Sequence, residues 1–199
     1  SETVTVSANA ATFSDKNVGT DKTVTVNSIT LADGDNGGVT TNYSIATGNT
    51  TTADITAKAL TIGGITASNK TYDGNTTATI SVASATFTGL VEGDSVTVSA
   101  TGVFDNKNVG TGKTVTLTET NAGDDVNNYS ITAQGTTTAN VTAKALTYTV
   151  SASDKTYDGG TSATATLSLS GFIGSETVTV SANAATFSDK NVGTDKTVT

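Results

Sequence analysis

The feature that most constrains this chain is that it repeats itself. Residues 1–25, SETVTVSANAATFSDKNVGTDKTVT, return unchanged as residues 175–199, a displacement of 174 positions. A diverged copy lies between them. Lys16-Asn17-Val18-Gly19-Thr20 is matched at 107–111 and again at 190–194, so the three lysines stand 91 and 83 positions apart. Asn42-Tyr43-Ser44-Ile45 returns at 128–131, Thr56-Ala57-Lys58-Ala59-Leu60 at 142–146, and Lys70-Thr71-Tyr72-Asp73-Gly74 at 155–159. One repeat is therefore about 86 residues, and two make the 174-residue period. Such a unit is too long for one coil of a solenoid and suits a small domain with its own core. Identity at the longer displacement implies a two-domain super-unit that was copied as a block.

The segment 136–149, TTTANVTAKALTYT, joins one repeat to the next and contains no Gly. A strand closing one domain is expected to run almost directly into the first strand of its neighbour, giving a stiffer junction than a Gly/Ser linker. The domains are placed at 1–57, 58–143 and 144–199. The middle repeat is complete, the first segment is the closing part of a repeat, and the last is an opening part. The chain reads as a window on a longer periodic polymer, its partial ends completed by neighbouring sequence or neighbouring subunits.

Strand signals dominate. Thr, Val, Ala, Ser, Gly and Asn favour strands and turns, and Thr3-Val4-Thr5-Val6, Ser95-Val96-Thr97-Val98 and Thr114-Val115-Thr116-Leu117 alternate with the two-residue period of a half-buried strand. In the complete repeat, strands are predicted over 60–66, 76–82, 86–90, 95–100, 102–104, 113–120, 128–133 and 136–142, with a turn over 70–75. This is an all-β chain of tandem, elongated β-sandwich domains of Ig-like proportions. A β-grasp arrangement, with one short helix in 84–93, is the alternative.

Composition narrows the chemistry. The chain has no His, Cys, Met, Trp or Pro, and its ten basic residues are all Lys. Imidazole bases, thiolate nucleophiles and nitrogen or sulfur metal ligands are excluded, leaving only a carboxylate pair or a Ser-Lys pair. No acidic pair is kept in a cleft motif across the repeats, so no enzyme is expected. A formal charge of -8 disfavours nucleic acid. No apolar run approaches the roughly 20 residues of a membrane span, so no membrane insertion is expected.

The recurrent motifs read first as structure. In Tyr72-Asp73-Gly74 and Tyr157-Asp158-Gly159, Gly permits a positive φ, Asp bonds its own backbone, and Tyr covers the domain end while its hydroxyl reaches a polar partner. Lys-Asn-Val-Gly-Thr reads as a tight connection between strands. Tyr43 and Tyr129 plug the core or the domain junction. Asp33, Asp35 and Asn36 alternate in a Gly-rich loop that can bring oxygen ligands together for calcium, but the twelfth place of an EF-hand loop is Ser44, and an ordinary Asx turn is the preferred reading of the loop. Apart from that calcium reading, no cofactor is expected. A Lys-Asn isopeptide crosslink would draw on Lys70, Lys107 or Lys113, but lysines beside turns are usually solvated.

Lys-Thr-Tyr-Asp-Gly, then Gly-Asp before a Val-Thr-Val strand, then Phe-x-x-Lys-Asn-Val-Gly-Thr, and finally Asn-Tyr-Ser-Ile together resemble the YDG repeat, grouped with MBG-type modules of filamentous-haemagglutinin-like bacterial exoproteins and giant adhesins. The resemblance spans the whole chain. It implies an extracellular protein on the bacterial cell surface, built of many tandem modules as a stalk or filament of an adhesin or biofilm. Its partners would be neighbouring repeats of the same chain or identical subunits. The alternative is a direct adhesion module whose ligand is a surface glycan or protein. Family members often carry Pro in the inter-repeat segment, where this chain has Ala57 and Ala59, and again Ala143 and Ala145.

Overall fold

The computed structural model describes residues 1–181 and 184–199. Among them the regular structure is strand, with two single 3-10 turns and no α-helix, and no helix is long and apolar enough to cross a membrane. The strands are β1 (Val4–Phe13), β2 (Gly19–Asp33), β3 (Thr50–Ile55), β4 (Lys58–Gly63), β5 (Thr66–Ala67), β6 (Lys70–Thr71), β7 (Thr77–Ala78), β8 (Ile80–Ser81), β9 (Thr86–Thr88), β10 (Thr97–Phe104), β11 (Gly110–Ala122), β12 (Tyr129–Thr132), β13 (Thr136–Thr142), β14 (Thr147–Ala152) and β15 (Ala165–Ser170).

The chain falls into two compact units. One holds Ser1–Thr66, Ile80–Thr101 and Leu117–Thr137, and the other holds Ala67–Thr79, Gly102–Thr116 and Thr138–Thr199. In the first unit, β1, β2 and β3 form an antiparallel meander, with register shifts along β1 between Ala8 and Ala11. A second sheet, β12-β4-β9, pairs β12 with β4 in parallel, Tyr129 opposite Lys58 and Ile131 opposite Leu60. In the second unit, β14 and β15 make an antiparallel pair, β13 runs parallel to β6, and β10 runs antiparallel to β7. The middle repeat thus carries a three-stranded sheet and a five-stranded sheet of order β6-β13-β11-β10-β7. The fold is all-β and sandwich-like. Parallel pairs require long crossovers, and the chain between β4 and β12 supplies one.

Period-two alternation sets which side chains are buried. Val115 and Leu117 on β11, Ala139 and Val141 on β13, and Leu60 and Ile62 on β4 are buried, while Thr114, Thr116 and Thr118 face out. Around Leu60, Val96 and Tyr129 are packed Phe87, Leu90, Val126 and Ile131.

The segment 84–93, where a β-grasp helix was the alternative, holds the short strand β9 and turns. The strand expected over 76–82 is split into β7 and β8, and the pieces expected over 95–100 and 102–104 are one strand, β10. The break expected at Thr101 is absent, because Thr101 continues β10 into Gly102. In the sheet Gly102 is an ordinary pairing position opposite Ala78.

Candidate functional site

The most elaborate local structure is the Lys-Asn-Val-Gly loop, built alike three times. Asp15 Oδ1 accepts the N–H of Asn17 at 2.8 Å, Asn106 Oδ1 that of Asn108 at 3.0 Å, and Asp189 Oδ1 that of Asn191 at 2.7 Å. A lysine further along closes each loop from the other side. Lys22 bonds Asp15, Lys196 bonds Asp189, and Lys113 bonds both Asn106 and Asp105 at 2.8 Å. These ammonium groups are the main reason that Asp15, Asp105 and Asp189 titrate below the ordinary carboxylate range. A Cβ at Gly19, Gly110 or Gly193 would stand 3.4, 3.1 or 3.5 Å from that lysine's stem, so the lysine packs closely over the glycine. The loop is thus a turn closed from both sides, and its own lysine (Lys16, Lys107 or Lys190) is not one of the groups that close it.

That lysine reaches the next repeat. Lys16 Nζ lies 2.7 Å from Asp94 Oδ1 and 2.7 Å from Asp125 Oδ1. Beside it the N–H of Val18 donates to Asn128 Oδ1 at 2.9 Å, and Asn128 Nδ2 donates to Asn17 Oδ1 at 3.1 Å. The two acids are held from their own side. The Tyr129 hydroxyl donates to Asp94 Oδ2 at 2.6 Å and accepts the Val91 N–H at 3.0 Å, while the Ser95 N–H donates to Asp125 Oδ2 at 2.9 Å. Lys16 is pushed above its usual value by Asp125 first and Asp94 second, and both acids are pulled down, Lys16 being the largest cause in each. Burial, then the neighbouring Asp94 carboxylate, raises Tyr129.

Lys107 repeats the contact at the following junction. Its Nζ lies 2.6 Å from Glu176 Oε1 and 5.7 Å from the centre of the Tyr72 ring, and the Tyr72 hydroxyl donates to the same carboxylate oxygen. Lys107 is raised and Glu176 lowered, each chiefly by the other. Asp94 and Glu176 occupy one place in the repeat, two residues ahead of Val96-Thr97-Val98 and Val178-Thr179-Val180. Glu2 holds that place ahead of Val4-Thr5-Val6, and its Oε2 accepts the Tyr43 hydroxyl at 2.7 Å, as Asp94 accepts that of Tyr129.

The Tyr-Asp-Gly segments form turns. Asp73 Oδ1 accepts the Asn75 N–H at 3.2 Å and pairs with Lys70 at 2.7 Å, and Gly74 has φ +81°. Asp158 Oδ1 likewise accepts the Gly160 N–H at 2.9 Å and pairs with Lys155 at 2.8 Å, with Gly159 at φ +77°. Tyr72 reaches Glu176, whereas Tyr157 is exposed.

In the Gly-rich loop, the Asp33 carboxylate accepts the Thr40 N–H at 2.7 Å and is lowered by that bond. The Asp35 backbone is tied to Thr3, its N–H to Thr3 Oγ1 at 2.9 Å, and Asn36 sits at φ +57°. Among the described residues no three acidic groups converge. Lys70 and Lys113 lie beside Asn75 and Asn106, at 3.0 and 2.8 Å, and each is also paired with a carboxylate, Asp73 at 2.7 Å and Asp105 at 2.8 Å.

Sequence reasoning read the Lys-Asn-Val-Gly loop as a connection and gave Asp94, Asp125, Asn128 and Glu176 no part in a site. The readable signal was the acid at the same repeat position, two residues ahead of Val4, Val96 and Val178, in step with the loop lysine.

A model of the YDG domain matches three segments of the chain, residues 1–53, 56–139 and 142–199. No curated protein and no solved structure matches it.

Proposed function

Because the chain belongs to the YDG-domain family through all three matched segments, we propose that it is a structural repeat segment of a bacterial cell-surface or secreted stalk or filament. It extends an adhesin or forms an extracellular fibre. The observation that carries this reading is the shortness of the junctions: β3 ends at Ile55 and β4 begins at Lys58, while β13 ends at Thr142 and β14 begins at Thr147. Connectors of this length without Gly restrict swivelling far more than a flexible linker does. The loop lysines add a side-chain contact at the same junctions. A repeat with strands of this kind spans roughly 20 to 30 Å, so tens of them reach well beyond an envelope.

The protein is read as non-enzymatic. Asp15, Asp73, Asp94, Asp105, Asp125, Asp158, Glu176 and Asp189 are each held below the ordinary carboxylate range chiefly by a lysine, which is the wrong direction for a general acid. Small-angle scattering on this chain and on arrays of two and three times its length tests the proposal. The maximum dimension is expected to grow in proportion to repeat number. Growth with the cube root of length, as for a collapsed globule, sinks it. Tight, specific binding on a glycan array favours the adhesion-module reading instead.

A further inference from the structure

The loop lysine and the acid it meets lie on different repeats, and the arrangement occurs twice with different residues around it. At the first junction the acceptor is a pair of aspartates, Asp94 and Asp125, flanked by Asn128. At the second it is the single Glu176, shared with Tyr72 of the preceding repeat. Both acids of the first junction are nearly buried while Lys16 is largely exposed, so the acceptor is a preformed niche and the lysine the arriving group. The hydroxyl of Tyr129 holds one acid and the Ser95 N–H the other, both from within the middle repeat.

We propose that the lysine of each Lys-Asn-Val-Gly loop is the element by which one repeat recognises the next. Its ammonium seats on the carboxylate that stands two residues ahead of the next repeat's Val-Thr-Val segment, and this contact fixes the order between neighbours. The partner is a following repeat of this same kind, recognised by an acid held from behind. Since the two acceptors differ, the junctions inside and between super-units are two distinct kinds, one with an Asp pair and one with Glu and Tyr. This deepens the stalk reading and rests on it for its biological meaning, but the contact is testable by itself.

The chain has no cysteine, so paired spin labels can be introduced at Thr52→Cys in the first segment and Thr118→Cys in the middle repeat of the full 199-residue protein. A narrow distance distribution is expected at low salt, broadening severalfold in 1 M NaCl as the exposed side of the contact is screened. Lys16→Gln is expected to give the broad distribution at low salt and to remove the salt response. Lys16→Arg, which keeps the charge and can fork to both carboxylates, restores the narrow one, and Lys190→Gln, at the corresponding loop of the third segment, changes nothing. A Lys16→Gln protein with an unchanged narrow distribution overturns the proposal, as does Lys16→Arg behaving like Lys16→Gln. The two readings fail separately: an insensitive junction in a protein that scatters as an extended chain removes the contact and leaves the stalk, and a sensitive junction in a collapsed protein does the reverse.

Discussion

The middle repeat and the segments on either side of it carry the same residues at equivalent places and treat them differently. Leu60 is 0% exposed and its counterpart Leu146 36%; Tyr129 is 8% exposed and Tyr43 46%; Phe104 is 3% exposed and Phe13 42%. The local backbone is alike in both settings, with β1 and β2 pairing as a hairpin and β14 pairing with β15. What differs is the packing against those strands. The third segment shows this in detail. A hollow of about 230 Å³ is lined by Leu146, Phe172, Ile173 and Val178, with Glu176 and Tyr72 beside them. The first four are the counterparts of Leu60, Leu90, Val91 and Val96, and Glu176 is the counterpart of Asp94. In the middle repeat Leu60, Val96 and Leu90 pack around Tyr129, whose hydroxyl bonds Val91 and Asp94. A strand pair makes an amphipathic surface, and only a second layer turns it into a core.

The comparison is most strongly tested by truncating the equivalent leucines. Leu60→Ala is expected to destabilise the middle repeat by about 2–5 kcal/mol through lost burial and a residual cavity. Leu146→Ala should cost about 1 kcal/mol or less, as a partly exposed position does. Urea titrations read at the Val115 and Val150 amides separate the two, and equal losses would break the contrast. A smaller effect is expected from the tyrosines. Tyr129→Phe removes the bonds to the Val91 N–H and to Asp94, lowering the middle repeat's midpoint by less than Leu60→Ala does. Tyr43→Phe removes an exposed bond to Glu2 and leaves the first segment's midpoint unchanged in the same titration.

The smallest effect is pH dependence at the first junction. Asp94 and Asp125 have folded values below their unfolded ones, so their contribution is present above the ordinary carboxylate range of about pH 4 and disappears as pH falls through the lowered values. Lys16 is shifted upward, so its contribution is present below about pH 10.4 and is lost only as pH rises past its raised value. The Val18 amide shift, which reports the bond to Asn128, should therefore stay constant through neutral pH and move on acidification. A shift that moves near pH 7 instead would contradict this assignment of charges.

Much of this was legible in the residues. The strand expected over 136–142 is β13 with the same bounds, and the turn chemistry of Asp73-Gly74 and Asp158-Gly159 follows from what Asp and Gly do locally. Local preference was less informative where strands are only two residues long, because β7 and β8 are held by partners distant in sequence: β7 lies against β10, and β8 against β5. The parallel pairing of β12 with β4 was illegible for the same reason, since nothing within either strand specifies a partner about 70 residues away.

By itself the sequence determined the period, the strand-forming character, the turns and the lack of imidazole and thiol chemistry, since each follows from residue type and short spacing. Tertiary structure decided which of several identical tyrosines and leucines become core, and that the lysine of a turn motif faces the acid of the next repeat. Those outcomes depend on groups brought together from 69 to 110 positions apart, a distance at which chain geometry and burial, not local preference, set the neighbours.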